Sequence, residues 1–101
     1  MKSKPVAFAP RAERDLEDIA DYIATDNPER ALTFVQELRV RCRKVGDFPR
    51  SPRRFPQLGD DAHILPYENY IILYRDLPTE ISIERILHGA RDIMALIAPD
   101  D

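Results

Sequence analysis

Four side chains in the last third of the sequence carry the functional groups of a site that acts on a phosphodiester. They are His88, Arg85, Arg75 and Tyr74. A histidine gives or takes a proton near pH 7, and an arginine binds and stabilises a negatively charged phosphate. Cleavage of RNA at a 2′-hydroxyl needs both, because it combines general acid–base catalysis with cationic donors on the phosphate. These four residues are the candidates for such catalysis.

The predicted strand geometry and the charge of the chain argue against that activity. Arg85 and His88 are three positions apart in a predicted strand, so in a regular strand their side chains point to opposite faces of the sheet. No lysine follows Val45, so the sheet supplies no lysine base. The formal net charge of −3 is unfavourable for an enzyme that must dock on RNA. We expect no catalytic residue, and we expect His88 to stabilise the bend at Gly89.

Basic side chains are concentrated in one segment. From Glu13 to Glu37 there are eight acidic and two basic residues, whereas from Arg39 to Arg54 there are seven basic residues and one acidic residue. Such a run is either the solvated face of a helix or a binding surface. Arg50, Arg53 and Arg54 lie among prolines, where packing does not explain them. We expect these three arginines to contact a partner.

The arginines of the predicted sheet leave two interpretations open. Arg75 and Arg85 are either exposed strand residues paired with Asp76 or Glu84, or they bind a carboxylate of a partner protein. Most tyrosines of this region are expected to pack in the core or at its edge. Tyr74, next to Arg75, is the one tyrosine we expect to contact a partner.

Two amphipathic helices must position these residues. Pro5 to Ala9 is predicted as a short strand, and the proline at its start is typical of an edge strand. Pro10 opens a first helix with an apolar stripe through Leu16 and Ile23. Asn27 and Pro28 are an N-cap and a first helical residue, so a second, antiparallel helix runs from there to about Gly46.

Strands make up most of the remainder. His63 to Pro66, Tyr70 to Arg75 and Thr79 to His88 are predicted strands joined by short turns. Phe48 to Gly59 is rich in proline and is predicted to be irregular, and Arg91 to Ile97 to form a short helix. The order β-α-α-β-β-β predicts an α+β fold of two layers, in which a helical hairpin packs on a small antiparallel sheet.

The composition restricts the class of protein. A chain of 101 residues is expected to form one domain, over residues 1–101. The single cysteine, Cys42, cannot form an internal disulfide, which favours a reducing compartment. The sequence contains no apolar run long enough to span a membrane, and we expect no secretory signal from its first residues. We therefore expect a cytoplasmic protein without metal or cofactor.

Several stretches resemble the RelE/ParE family of bacterial toxins, in order and over nearly the whole chain. The matching stretches are F-A-P-R-A-E-R-D-L-E-D-I-A-D-Y-I (8–23), D-N-P-E-R-A (26–31), F-P-R-S-P-R (48–53), L-P-Y-E-N-Y-I-I-L-Y-R (65–75) and I-E-R-I-L-H-G-A-R-D-I (83–93). The chain looks closer to the ParE branch than to the RelE branch. It departs from the family at Ala9, where a helix-capping serine is common, and at Glu68, where a turn glycine is common.

The resemblance implies the toxin of a type II toxin–antitoxin system. Its partner would be a ParD-like ribbon-helix-helix antitoxin, whose disordered tail folds along the toxin. ParE-branch toxins bind DNA gyrase and trap its cleaved-DNA state, and the tail after their last strand is implicated in toxicity, which adds Arg91 to the contact candidates. RelE-branch toxins cut mRNA on the ribosome. We expect a non-enzymatic gyrase inhibitor; the alternatives are an mRNA endonuclease using His88, Arg85, Arg75 and Tyr74, and an inactive antitoxin-binding module.

Overall fold

A helical hairpin packs on one face of a mixed β-sheet in the computed structural model, which describes residues 3–47, 53–89, 92 and 95. The elements are β1 (Val6–Phe8), α1 (Pro10–Ala24), α2 (Pro28–Lys44), β2 (Arg53–Arg54), a short 3₁₀ helix (Pro56–Leu58), β3 (Ala62–Tyr67), β4 (Tyr70–Asp76) and β5 (Ile81–His88). The sheet order is β1-β5-β4-β3-β2. The predicted two-layer α+β architecture is confirmed.

The direction of β1 differs from the expectation of an antiparallel sheet. β1 pairs with β5 in parallel, with Val6 opposite Ile81 and Phe8 opposite Ile83, and the other three strand pairs are antiparallel. A parallel pair needs a long crossover connection, and here the two helices and three strands between β1 and β5 provide it. Local sequence patterns do not determine which distant strand a short edge strand joins.

Local signals at the helix ends behave as the sequence predicts. Pro10 and Pro28 are the first residues of their helices. The side chain of Asn27 accepts a hydrogen bond from the backbone N–H of Arg30 at 3.1 Å, so it is the N-cap of α2. Ala9 caps α1 without any side-chain hydrogen bond, as its small apolar side chain requires.

The core lies between the hairpin and the sheet. The largest fully buried side chains are Tyr74, Leu16, Leu38, Ile72, Ile81, Ile83 and Cys42. The predicted stripe of α1 is therefore confirmed as its buried face through Leu16, and α2 buries Leu38 and Cys42. Leu73 and Leu87 are also buried but do not belong to this core cluster, because they lie on the other face of the sheet. Both faces of the central strands are thus apolar.

The last turn of α2 docks closely on the chain that enters β1. The backbone N–H of Lys4 donates to the carbonyl of Gly46 at 2.8 Å. A Cβ atom at Gly46 would collide with the Lys4 carbonyl, so only glycine permits this approach. The contact fixes the basic end of α2 against the edge of the sheet.

Two predicted boundaries change. The segment from Phe48 to Gly59 is predicted to be irregular, but Arg53–Arg54 pairs with β3 and Pro56–Leu58 forms a 3₁₀ turn. Short strands of this kind give too few residues for an alternating pattern. The predicted helix from Arg91 to Ile97 lies outside the described residues except for Asp92 and Ala95, both of which are helical.

Candidate functional site

A cleft of about 500 Å³ opens between α1 and β5. Its polar lining includes Asp15, Asp18, Tyr22, Tyr70, Arg85 and His88. Arg85 and His88, which a regular strand would separate, therefore border the same cleft. The ladder between them is regular, with Arg85 opposite Leu73 and His88 opposite Tyr70, so the predicted alternation holds for their positions in the strand. The long side chain of Arg85 nevertheless reaches the cleft, where it contacts Asp15 on α1.

A β-bulge places Arg85 on the same face of the sheet as Leu73, and the early end of β1 leaves Arg85 on an open edge. Leu73 pairs with Arg85 whereas Tyr74 pairs with Ile83, so Glu84 is an extra residue in β5. Pairing with β1 ends at Ile83, which leaves the following residues on an open edge beside α1. The side chain of Arg85 extends from this edge toward the helix.

Asp15 on α1 binds that open edge through both of its oxygens. Nε of Arg85 donates to Oδ2 of Asp15 at 2.8 Å, and Nη2 donates to Oδ1 at 3.2 Å. The backbone N–H of Ile86 donates to the same Oδ2 at 2.8 Å. The carboxylate hydrogen bond raises the pKa of Arg85. The partner of Arg85 is thus Asp15, and neither Asp76 nor Glu84.

His88 is exposed and has a limited set of contacts among the described residues. Its ring meets that of Tyr70 edge to face, with centroids 5.1 Å apart. Its backbone N–H donates to Oδ2 of Asp92 at 2.9 Å, and the following Gly89 has φ 71°. The residue therefore takes part in the bend at the end of β5 through its backbone.

Tyr74 and Arg75 lie on opposite faces of β4. Tyr74 is 1% exposed, and burial raises its pKa to about 12. As a buried core residue, it does not present its side chain to a partner, which corrects the expectation of a contact. Nη1 of Arg75 donates to Oδ1 of Asp61 at 2.6 Å, and its Nε lies 3.8 Å from Oε1 of Glu84.

The four candidate catalytic residues do not share one cleft. Arg75 and Arg85 both border a smaller cleft of about 320 Å³ on the outer face of the sheet, with Leu58 and Leu73. Arg85 therefore lies between this cleft and the one that contains His88. Both arginines already bind carboxylates of the chain, at Asp61 and Asp15.

Sequence reasoning missed His63. It is 7% exposed, and its ring stacks on Tyr74 at 5.2 Å with an interplanar angle of 9°. Its Nδ1 is buried and finds no hydrogen-bond partner within residues 3–47 and 53–89. A histidine one position after a buried alanine in a short strand gives no periodic signal, so only the pairing of His63 with Tyr74 across β3 and β4 reveals the stack.

Basic side chains gather where α2 ends. Arg41, Arg43 and Lys44 occupy the last turn of α2. Arg54 lies opposite His63 on β2, at the edge of the sheet farthest from β1. Arg39 is held in a bidentate pair with Glu13, at 2.6 and 3.1 Å, which lowers the pKa of Glu13. Nη2 of Arg54 donates to the Asp60 carbonyl at 3.2 Å.

Some contact candidates lie beyond the described part of the chain. Arg50 and Arg91 are outside it, as is the side chain of Arg53, whose backbone pairs with Ile64. Within the described residues, no group of three or more histidine, cysteine or carboxylate side chains is arranged to hold a metal ion. Burial raises the pKa of the Cys42 thiol to about 12. The helices described are too short or too polar to cross a bilayer.

The fold has a relative among solved structures. A chain from the chromosomal ParDE TA system from P. aeruginosa superposes with a TM-score of 0.74 at 23% identity, over 86% of this chain and 97% of that chain. At this identity the likeness establishes the fold alone. A search of curated proteins found no match.

The family model is more specific. The family described as the ParE toxin of the type II toxin–antitoxin system parDE matches residues 6–93. The chain belongs to this ParE toxin family and is a ParE-type toxin of a type II toxin–antitoxin system. The resemblance seen in the sequence is thereby confirmed.

Proposed function

We propose that this toxin acts in the cytoplasm by binding DNA gyrase, without bond-breaking chemistry, and that a ParD-like ribbon-helix-helix antitoxin neutralises it. The observation that carries the non-enzymatic part is the ion pair between Arg85 and Asp15. A catalytic arginine must offer its donors to a phosphate, but this guanidinium already binds a carboxylate of its own chain.

Charge and burial support the same proposal. Tyr74, a candidate proton donor, is buried, and its pKa is about 12, far from the value that efficient proton transfer at neutral pH requires. The net charge of −3 is unfavourable for docking on ribosomal RNA. Membership of the ParE family favours gyrase as the target and ParD as the partner.

An mRNA endonuclease remains the second candidate because one observation favours it. Arg85 and His88 border a common cleft, with Asp18 and two tyrosines beside them. A histidine is the side chain that most often serves as general acid or base in such a reaction. A chain that only binds its antitoxin is the third candidate.

Two parallel assays of the purified chain separate these functions. In the first, the chain is added to gyrase and relaxed plasmid, and we expect loss of supercoiling with accumulation of cleaved DNA. In the second, it is added to a translating extract, and we expect the messages to stay intact. Cleaved transcripts with normal supercoiling would replace the proposal with the endonuclease. Neither effect, with retained antitoxin binding, would leave the inactive module.

The antitoxin part has its own test. A small neighbouring reading frame with a ribbon-helix-helix pattern would be expressed together with the tagged chain. We expect the two products to purify as one complex and the gyrase effect to disappear in that complex. A separate elution of the two proteins would contradict the pairing.

A further inference from the structure

Clefts that share lining residues meet at Arg85 and form one groove. The cleft of about 500 Å³ that contains His88 shares Asp15 and Arg85 with a neighbouring cleft of about 430 Å³. This neighbour in turn shares Arg11 and Arg85 with the cleft of about 320 Å³ on the outer face of the sheet. We call this surface the α1 groove. Its lining includes Arg11, Arg14, Asp15, Tyr22, Arg85 and His88.

The α1 groove has the length of a short extended peptide. Arg11 lines the two smaller clefts, and Tyr22 lines the largest one. The two residues are eleven positions apart in α1, so they are about 17 Å apart along the helix axis. An extended chain advances about 3.3 Å per residue, so about five residues span this distance.

Two arginines of the groove have no ionic partner among the described residues. Arg11 and Arg14 are exposed, and no carboxylate of the described chain lies within 4.0 Å of their side-chain nitrogens. Arg11 has Asp15 four positions later, but that carboxylate binds Arg85. The charge of both arginines is therefore available to an external carboxylate.

Helix stability does not explain these two arginines. The N-terminal end of a helix carries a partial positive charge, so a cation there is unfavourable, and Arg11 is the second residue of α1. Arg14 has Asp18 four positions later, and an arginine that precedes its aspartate is in the less favourable order for a helical ion pair. Binding of an external anion accounts for both positions.

The other end of the groove presents an exposed ring. Tyr22 is 73% exposed, the highest value among the large apolar side chains of the described residues. Tyrosine is one of the residues that carry most of the binding energy in protein interfaces. The ring is therefore available to an apolar side chain of a partner.

The backbone donors of the open edge of β5 are already occupied. The N–H of Ile86 donates to Asp15, and the N–H of His88 donates to Asp92. These N–H groups are two positions apart, so they face the same edge of the strand. A partner that added a strand to β5 at this point would have to displace both carboxylates. The α1 groove is therefore suited to recognition through side chains.

The charges along the groove disfavour a nucleic acid as the occupant. Asp18 and Asp92 line the largest cleft, beside Tyr22. A phosphate backbone that followed the groove from Arg11 would meet these carboxylates, and like charges repel. A peptide can place a carboxylate at the arginines and an uncharged apolar side chain at the tyrosine. Charge complementarity therefore favours a protein segment.

We propose that the α1 groove binds an extended segment of the antitoxin. A carboxylate of this segment binds Arg11 and Arg14, and an apolar side chain about five residues away packs on Tyr22. The antitoxin is the partner that membership of a two-component toxin–antitoxin family requires. The inference rests on the proposed pairing with an antitoxin and does not depend on the target of the toxin.

One pair of variants tests the carboxylate contact. Arg11→Gln/Arg14→Gln removes the two cations of the groove. The control Arg43→Gln/Lys44→Gln removes two exposed cations at the end of α2, outside the groove, and gives the same net charge. Circular dichroism and thermal unfolding establish that each variant is folded.

A second pair tests the apolar contact independently of charge. Tyr22→Ser removes the exposed ring of the groove. The control Leu32→Ser removes a side chain of α2 that is 70% exposed, almost as much as Tyr22, and is outside the groove. Because both side chains are exposed, neither change empties the core, and this pair decides if a cation variant does not fold.

The probe is the product of the neighbouring reading frame, purified and labelled with a fluorophore. Fluorescence anisotropy gives its affinity for the wild type and the variants. We expect each groove variant to bind about 10-fold more weakly or worse, and each control to stay within about 2-fold of the wild type. Arg11→Glu/Arg14→Glu should lose binding as well, and a lysine in place of one acidic residue of the antitoxin should restore it.

Three results would overturn the proposal. The first is equal affinity of the wild type and both groove variants, and the second is an equal loss in the groove variants and their controls. The third is a wild-type chain that elutes as a dimer alone while the groove variants elute as monomers, because the occupant is then a second copy. Failure of the pairing looks different: the wild type does not bind the probe at all, and the proposal falls with the pairing.

Discussion

Asp15 and Arg85, from α1 and β5, form a two-point ion pair that also closes the edge of the sheet. The pair joins elements 70 positions apart, and its side chains are 13% and 21% exposed. The same carboxylate accepts the backbone N–H of Ile86, a donor that β1 no longer reaches. An unpaired strand edge invites pairing with another chain, so this contact both anchors the hairpin and covers an exposed donor.

Removal of the Asp15 carboxylate should therefore destabilise the fold. Asp15→Ala leaves the guanidinium of Arg85 and the N–H of Ile86 without their partner, and we expect a loss of about 2–3 kcal/mol in the free energy of unfolding. Asp15→Asn keeps an oxygen for the N–H and should lose about half as much. Urea denaturation gives both values.

The control is Asp18→Ala, one turn later and exposed, which should change stability by less than about 0.5 kcal/mol. Similar losses at both positions would refute a special role for Asp15.

His88 tests the non-enzymatic proposal most directly. We expect His88→Ala to remain as toxic as the wild type when expressed without antitoxin, because the imidazole performs no proton transfer in a gyrase inhibitor. Loss of a general acid or base would reduce the rate of an RNase about 10²–10⁴-fold. Growth after induction, with protein amounts matched by immunoblot, is the measurement. Its ring contact with Tyr70 limits the stability change to about 0.5–1.5 kcal/mol, so abolished toxicity in a folded variant would indicate catalysis.

The sequence predicts what local physical chemistry determines. The starts of both helices follow from Pro10, Asn27 and Pro28, because caps and proline act within one turn. The buried stripes follow from the 3.6-residue period. The sequence does not predict contacts between residues that are far apart in the chain. Examples are the parallel pairing of β1 with β5 and the ion pair of Arg85 with Asp15.

The bulge at Glu84 shows the same limit within one strand. Alternation from Ile83 predicts the helix-covered face of the sheet for Arg85, but the extra residue in β5 puts Arg85 opposite Leu73, on the other face. Arg85 and His88 therefore lie on opposite faces of a regular ladder, and they border one cleft because Arg85 is on the open edge of β5 and binds Asp15 on α1. Nothing in the residues 81–88 taken alone marks the position of this bulge.

Burial of Tyr74 predicts a particular response to alkaline pH. Its pKa in the folded chain is raised to about 12, chiefly by burial and next by the charge of Asp76, whereas the unfolded chain ionises near the ordinary value of about 10. The stabilisation from the neutral phenol is therefore complete below pH 10 and is lost as pH rises toward 12. For each pH unit between 10 and 12, the free energy of unfolding of the wild type falls by up to about 1.4 kcal/mol.

The matched variant is Tyr74→Phe, which removes the ionisable hydroxyl and keeps the ring that stacks on His63. Other titrating groups, such as Cys42, are common to both proteins and cancel in the difference. We expect the stability difference between wild type and variant to change in favour of the variant between pH 10 and 12 in urea titrations. A difference that stays constant over that range would show that the phenol is accessible to water.

The turn between β3 and β4 contains a residue that its backbone disfavours. Glu68 has φ 53°, the one positive φ of a residue other than glycine in the described part of the chain. A left-handed backbone costs a residue with a Cβ about 1–2 kcal/mol, whereas glycine adopts it freely but loses about 0.5–1 kcal/mol in entropy on folding. Glu68→Gly should therefore raise the free energy of unfolding by up to about 1 kcal/mol.

Asn69→Gly is the control, because φ at Asn69 is not positive and glycine brings only its entropic cost of about 0.5–1 kcal/mol there. Chemical denaturation of the two variants beside the wild type measures both effects. Stabilisation by the first and destabilisation by the second would locate the strain at Glu68, since both substitutions put the same residue into the same turn. Destabilisation by both would mean that the side chain of Glu68 contributes more to the hairpin than its backbone costs.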